Sequence, residues 1–139
     1  MLYSWIEEEK EDLICDQFGV GPGDVYRHVE SSQWILYAAG VIADLFQLGR
    51  TAFFLENLRR RIQYGIKEEL LELASLRGVG RIRARTLFKK GYKDLSSLKN
   101  ATAEELSEIP QIGKSLAKEI VEQLSSPIRK KRASIYQHS

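Results

Sequence analysis

The sequence has little cysteine and histidine, and it lacks a long apolar run. Only one of its 139 residues is a cysteine, Cys15, so an internal disulfide is impossible. The two histidines, His28 and His138, stand well apart from that thiol and complete no zinc-binding pattern. No stretch approaches the roughly 18 apolar residues of a membrane span, and the first residues contain no basic region followed by an apolar run. These absences predict a soluble, cytoplasmic protein of one domain or two small ones, without a metal site.

Charge is distributed unevenly along the chain. The first 60 residues hold ten acidic and five basic side chains, whereas the remaining 79 hold nine acidic and sixteen basic ones. The run from Arg77 to Lys93 contains seven cations and no acid. A solvated helix face normally mixes both signs, so this run indicates a surface that meets a polyanion.

The spacing of apolar residues and of helix-ending signals predicts an all-α fold. No alternating apolar and polar run is long enough for a strand. Gly19, Gly49 and Gly65 are expected to end helices, and Pro22 to begin one. The predicted helices cover about 8–18, 22–48, 51–64, 67–76, 81–90, 94–98, 102–108 and 114–124.

The second half of the chain repeats one pattern at an interval of 33 residues. In the first copy, Gly78, Val79 and Gly80 form a turn immediately before a helix. Glycine has no Cβ, so a phosphate can approach this backbone and accept hydrogen bonds from the free N–H groups of the first helical turn. The arginines at 81, 83 and 85 favour an anionic partner. This is a helix-hairpin-helix pattern, and it predicts contact with nucleic-acid phosphates and little sequence reading.

The second copy of the hairpin contains Ile112, Gly113 and Lys114 in the corresponding positions. Gln111 stands where the first copy has Gly78, so we expect the second hairpin to bind phosphate more weakly. The alternative for both copies is a compact turn between packed helices. The repeated apolar and small positions are Leu76, Val79, Gly80, Ala84 and Leu87 in the first copy and Ile109, Ile112, Gly113, Ala117 and Ile120 in the second.

The long helix predicted after Pro22 places a tryptophan opposite its core-facing side. At about 100° per residue, Trp34 and Arg27 lie two turns apart on one line. A tryptophan ring and a guanidinium on one exposed line suit stacking on unpaired bases. The alternative is that Trp34 packs on a neighbouring helix, because the next apolar residues on that side, at 41, 42 and 45, are expected to be buried. The predicted core face contains Val25, Val29, Ser32, Leu36, Ala39, Gly40 and Ala43.

Three segments of the chain together resemble one protein family. They are 18–24 (FGVGPGD), which leads to Arg27 and Trp34, then 64–70 (YGIKEEL), and 77–85 (RGVGRIRAR). Their order and spacing are similar to the C-terminal end of the archaeal superfamily 2 DNA repair helicases, which are related to HELQ and to the helicase part of DNA polymerase theta. The resemblance covers nearly the whole chain apart from the last dozen residues.

The resemblance implies a role for each part of the chain. Residues 1–64 would be the end of a helical domain whose ratchet helix runs along a translocating single strand, with Arg27 and Trp34 contacting bases. Residues 65–125 would be a helix-hairpin-helix domain that grips the strand, and 126–139 a basic tail. The expected partners are single-stranded or forked DNA and the motor domains of the same protein, which would move 3′ to 5′ at stalled or branched replication forks. A monomer associated with the nucleoid and not with membrane is expected.

The motor motifs themselves are missing from this sequence. Gly113, Lys114 and Ser115 match the end of a phosphate-binding P-loop, but Glu108 stands where its first glycine is needed. We therefore expect no catalytic residue and no cofactor in this chain, which would neither hydrolyse ATP nor unwind DNA alone. The resemblance places ATP and Mg²⁺ in the motor domains of the parent protein, of which this chain would be a C-terminal fragment.

Two other functions compete with DNA gripping. In a protein-interaction module, Trp34 and the acidic segment 7–12 would dock on a helicase motor or a replication partner. In a DNA glycosylase or lyase, a desolvated lysine would form a Schiff base with an abasic site, but no lysine is distinguished from its exposed neighbours.

Overall fold

The computed structural model describes residues 1–126, and within that range every regular element is helical, which confirms the predicted fold class. The predicted basic tail, with its cations at 129–132, lies outside the described residues apart from Ser126. None of the helices within residues 1–126 combines the length and apolarity that crossing a bilayer requires. The helices are α1 Leu2–Ile6, α2 Glu11–Phe18, α3 Pro22–Leu45, α4 Gly49–Tyr64, α5 Leu71–Ala74, α6 Arg81–Lys89, α7 Leu95–Lys99, α8 Ala103–Ser107 and α9 Lys114–Ser125, with a 3-10 turn at Glu68–Leu70.

Helices α3 and α4 form a long hairpin. Pro22 opens α3 behind the N-cap Gly21, and the Asp24 carboxylate accepts a hydrogen bond from the Gly21 N–H at 3.0 Å. Across the hairpin, the Gln33 amide donates to the Arg59 carbonyl oxygen and accepts from the Arg59 guanidinium, both at 3.0 Å. These paired bonds fix the register of the two helices.

The helices of the first half end in the same way. Gly19 after α2 and Gly65 after α4 take left-handed conformations, with φ of 62° and 65°. The break after α3 is made by Gln47, with φ of 58°, whereas the predicted break at Gly49 is wrong because Gly49 begins α4. In all three cases the residue after the left-handed one donates its N–H to a carbonyl five residues earlier, as in a Schellman motif.

One apolar cluster holds α1 and α2 against the base of the α3–α4 hairpin. Trp5 and Ile6 come from α1, a helix that the sequence analysis did not predict. They are buried with Ile14, Val25, Val29 and Ile62. On α3 the predicted core face is confirmed: Val25, Val29 and Ala43 are buried, and Ser32, Leu36, Ala39 and Gly40 are partly buried.

A second apolar cluster forms the core of residues 66–124. All eight apolar positions of the 33-residue repeat are buried in it, including Ala84 and Ala117, whose small side chains allow close helix packing. The segment predicted as one helix over 67–76 is instead the 3-10 turn followed by the four-residue α5. Helix α1 packs on α2, α3 and α4, and Arg81 donates to its Trp5 carbonyl oxygen, so α1 contacts both parts of the chain.

Candidate nucleic-acid interface

The two hairpin turns have the same backbone geometry. Gly78 and Gln111 both take positive φ, at 81° and 70°, although they differ in residue type. The next residues, Val79 and Ile112, are buried, and each donates its N–H to a carbonyl three residues earlier at 3.1 Å. Gln111 therefore reproduces the glycine conformation, so the sequence difference leaves the shape of the second turn unchanged.

The helices that follow the two turns begin without a side-chain cap. Their N-cap residues are Gly80 for α6 and Gly113 for α9, and neither has a side chain to accept from the first helical N–H groups. By contrast, Asp94 and Thr102 cap α7 and α8 with side-chain oxygens and complete capping boxes. Both glycines are exposed, and a Cβ at either would meet nothing within 4 Å. The two turns thus offer open N–H groups and the positive end of a helix dipole to an anion.

Arg83 crosses from the first hairpin to the second. Its Nε donates to the Gln111 carbonyl oxygen and its Nη1 to the Gly78 carbonyl oxygen, both at 2.9 Å. The guanidinium therefore bridges the two turns, and the side chain stays exposed. This position lets Arg83 hold the turns together while its charge remains close to both.

Arg81 and Arg85 contact the first half of the chain. Arg81 stacks over the Trp5 ring, with the guanidinium carbon 4.0 Å from the ring centroid. It also donates to the carbonyl oxygens of Gly65, Trp5 and Glu9 at 2.9–3.0 Å. Arg85 donates to both Glu8 carboxylate oxygens, at 2.8 and 2.6 Å, and to the Glu69 carboxylate at 2.8 Å. The basic segment that the sequence offers to phosphate thus has extensive protein partners, and its contact with DNA stays a prediction.

The electrostatic environments of these two arginines differ. Desolvation lowers the pKa of Arg81, whose hydrogen-bond partners are neutral carbonyl groups. The hydrogen bond to Glu8 raises the pKa of Arg85. Burial disfavours the charged form of Glu8, but its hydrogen bonds with Arg85 and the Lys67 N–H outweigh burial and lower its pKa. Arg85 and Glu8 consequently form a charge-assisted pair that is mostly withdrawn from solvent.

Arg27 and Trp34, which are predicted to lie on one side of the long helix, are both exposed on α3. The Trp34 side chain is 72% exposed, so it packs on no helix within residues 1–126. Arg27 is 76% exposed and pairs with Asp24 on its own helix at 3.3 Å. The expected burial further along this side is wrong for Ile42 and Leu45, which are also exposed because α4 covers the opposite side. Arg27 and Trp34 are thus both open to a ligand.

The acidic segment 7–12, expected to dock on another protein in the alternative function, has partners within the chain. Glu7 pairs with Arg61 and Lys67, and Glu8 with Arg85, so these two acids contact their own chain.

At the turn between α3 and α4, large apolar side chains face solvent. They are Ile42, Leu45, Phe46, Leu48, Phe53 and Phe54, and we call them the apolar corner.

Comparisons with known proteins find a similar family for each half of the chain. Residues 1–65 match the family described as archaeal helicase, domain 4, and residues 70–126 match the SAM-like helix-hairpin-helix tandem. The first half of the chain is therefore similar to a domain of archaeal helicases, and the second half to a tandem helix-hairpin-helix domain.

Three curated relatives of the chain carry the same name. The chain is 44% identical over 124 residues to the ATP-dependent DNA helicase Hel308 of Pyrobaculum calidifontis, a match that covers 88% of this chain and 18% of the relative. It is 39% identical to Hel308 of Pyrococcus horikoshii over 93% of this chain and 18% of that protein. Hel308 of Methanocaldococcus jannaschii is 36% identical over 89% of this chain and 10% of its own length. These matches confirm the resemblance to archaeal DNA helicases; the chain spans less than a fifth of each of these relatives.

Proposed function

We propose that this chain is an accessory DNA-binding region of an ATP-dependent DNA helicase. It grips the translocating single strand by base stacking on α3 and by backbone phosphate contacts at the two hairpins. The chemistry of translocation, with ATP and Mg²⁺, belongs in this proposal to motor domains of the same protein. The direction, 3′ to 5′, and the substrate, stalled or branched forks, come from the family resemblance.

The observation that carries the proposal is the pair of open helix N-termini at Gly80 and Gly113. Two such termini related by a repeat suit two phosphates of one strand, because the N–H groups bind any phosphate regardless of the base. Arg83 between the turns adds a positive charge near both. The second hairpin keeps the geometry of the first, so we assign it a phosphate site of its own.

On α3, the exposed line of Arg27 and Trp34 supports the stacking part of the proposal. Stacking of a base on an aromatic ring contributes about 1–3 kcal/mol and tolerates any sequence. A guanidinium seven residues from the ring adds a charge on the same line. Base stacking on α3 and phosphate contacts at the hairpins would together give single-strand preference with little sequence preference.

The direct test is fluorescence anisotropy of labelled single-stranded and duplex DNA titrated with the chain at several salt concentrations. We expect tighter binding to the single strand and a linear fall of log affinity with log salt, because each phosphate contact releases counterions. Trp34→Ala should weaken single-strand binding about 5- to 100-fold and leave the salt slope unchanged. Phe53→Ala, which removes an equally exposed aromatic from the apolar corner, is the matched control and should bind DNA normally.

The apolar corner favours a second candidate function, docking on another part of the helicase. Several adjacent exposed apolar side chains are more than the scattered ones of an ordinary surface. In that function Phe53→Ala and Phe54→Ala would weaken binding to the purified motor domains and leave DNA affinity unchanged. If Trp34→Ala also weakened motor binding but not single-strand affinity, Trp34 would belong to the docking surface and the stacking role would be wrong.

A further inference from the structure

Glu8 occupies the junction of the two halves of the chain in an uncommon backbone conformation. Its φ is 66°, in the left-handed region where residues other than glycine are infrequent. Its carboxylate accepts two hydrogen bonds from Arg85 and a third from the Lys67 N–H at 3.1 Å. These three hydrogen bonds help to offset the cost of the left-handed backbone.

Trp5, which stands three residues before Glu8, makes a second junction with the hairpin domain. Its indole Nε1 donates to the Ile62 carbonyl oxygen on α4 at 2.8 Å, while Arg81 of α6 covers its ring. The edge of the Tyr26 ring of α3 meets it at a centroid distance of 6.0 Å. Through Trp5, the start of the first hairpin's second helix is fixed against both α3 and α4.

The segment that joins the two halves of the chain, between α4 and the 3-10 turn, is bound by residues of both halves. Arg81 binds the Gly65 carbonyl oxygen, and Glu8 binds the Lys67 N–H, so the chain between α4 and the 3-10 turn is fixed where it crosses from one half to the other. At Gly65 an added Cβ would lie 2.5 Å from the Trp5 ring, which shows how closely the link passes this side chain.

We propose that Glu8 is a positioning residue for DNA binding, acting with Trp5 through Arg81 and Arg85. Together these four residues, which we call the joint, hold the first hairpin at one orientation relative to Arg27 and Trp34 on α3. In this proposal the joint contacts no DNA, because Arg81 and Arg85 hold the two halves together instead of binding phosphate as the sequence predicts. The joint thereby preorganises two surfaces as one, the exposed side of α3 with Arg27 and Trp34 and the two hairpin turns. A strand that reaches both surfaces binds more tightly than two independent sites would allow. This inference rests on the proposed function.

The test uses two variants that treat the backbone and the carboxylate separately. Glu8→Gly removes the carboxylate but favours the left-handed conformation, so it does not fail through backbone strain. Glu8→Gln keeps an acceptor for the Lys67 N–H and removes the charge that pairs with Arg85. Spin labels at Ser31 of α3 and Lys118 of α9, both exposed, would report the orientation of the two halves after Cys15→Ser removes the native thiol. We expect a narrow distribution of distances between the two labels in the parent chain and a broader one in both Glu8 variants. An unchanged distribution would contradict the proposal that the joint fixes the orientation of the two halves.

DNA length gives the functional readout. For single strands in a series from about 4 to 16 nucleotides, the variants should lose on the order of tenfold in affinity for strands that reach both surfaces. Affinity for the shortest strands and the salt slope should not change, because no phosphate contact is removed. Equal losses at all lengths, or none, would overturn the positioning role while leaving the proposed function standing. Absence of single-strand binding by the parent chain would instead refute the proposed function, and this inference with it.

Discussion

Arg83 and Leu116 occupy equivalent positions in the two hairpins, 33 residues apart, and each lies against the turn of the other hairpin. Arg83 binds the Gln111 carbonyl oxygen of the second turn. Leu116 packs beside the first turn, where its Cδ1 would be 2.7 Å from a Cβ added to Gly78. The repeat therefore relates the contacts between the hairpins as well as the hairpins themselves, and it explains why only one of the two turns needs glycine.

The first prediction concerns that packing. Gly78→Ala should reduce the free energy of unfolding by about 1–3 kcal/mol, because the new Cβ meets Leu116 and the backbone has positive φ. The cost of Gly78→Ala should be smaller in a Leu116→Ala background than in the parent. A double-mutant cycle of urea unfolding measures this coupling energy. Gly80→Ala is the control, since its Cβ has open space and its φ is negative. Purely additive effects of the two substitutions would show that the contact is not responsible.

The second prediction concerns Gln111, which holds the same conformation without being glycine. Gln111→Gly should raise the stability by up to about 1 kcal/mol, because relief of the left-handed strain exceeds the added entropy of the unfolded chain. The turn keeps its shape, so DNA affinity should remain unchanged. Thermal unfolding of the parent and variant gives the comparison, and Gln63→Gly, at an exposed position on helix α4, should instead destabilise. A loss of stability in Gln111→Gly would mean that its side chain contributes more than its strain costs.

Left-handed residues mark the limits of what this sequence predicts about the fold. Gly19 and Gly65 were expected to end α2 and α4, and they do. Gln47 and Gln111 take the same conformation, but their residue type does not distinguish them from other glutamines. The break after α3 was therefore misplaced at Gly49. The weaker phosphate binding expected at the second turn stays a prediction, although Gln111 gives that turn the backbone shape of the first.

The site was predictable only where it depends on local pattern. The Gly-Val-Gly turn, the repeat and the line of Arg27 and Trp34 follow from spacing along the chain. Among the partners of Arg81 and Arg85, Glu9 and Glu8 lie 72 and 77 residues away, beyond the reach of any helical period. The available signal was charge complementarity between the acids at 7–9 and the cations at 81–85.

The third prediction uses the lowered pKa of Glu8. A carboxyl group whose pKa is lower in the folded state stabilises the fold above its unfolded-state value, ordinarily 4.5, and this stabilisation is lost as pH falls through the folded-state pKa. Glu8→Gln should therefore cost about 1–3 kcal/mol at pH 7. The difference between the parent and the variant should shrink below pH 4.5, while Arg85 stays charged throughout. Urea unfolding of both proteins from pH 7 to pH 3 measures it, and a constant difference over that range would contradict the assignment.

The fourth prediction separates stability from DNA binding at the first hairpin. Gly80→Asp places a carboxylate at the N-cap of α6, where it accepts the open N–H groups and complements the helix dipole. The variant should gain about 0.5–1 kcal/mol of stability. The same carboxylate occupies the proposed phosphate position and repels DNA, so single-strand affinity should fall by about tenfold or more. Ordinary damage to a fold lowers both quantities, whereas here they change in opposite directions.

Two control variants test whether the opposite changes in stability and single-strand affinity arise at the turn. Gly80→Asn caps the helix without a charge, so it should stabilise similarly and weaken DNA binding less. Ser96→Asp adds the same charge on α7, at an exposed position outside both turns, and should change single-strand affinity by much less. Anisotropy titrations and thermal unfolding of the parent and the three variants complete the comparison. A Gly80→Asp variant that is more stable and binds the strand like the parent would remove the first turn from the interface, because an anion cannot share these N–H groups with a carboxylate.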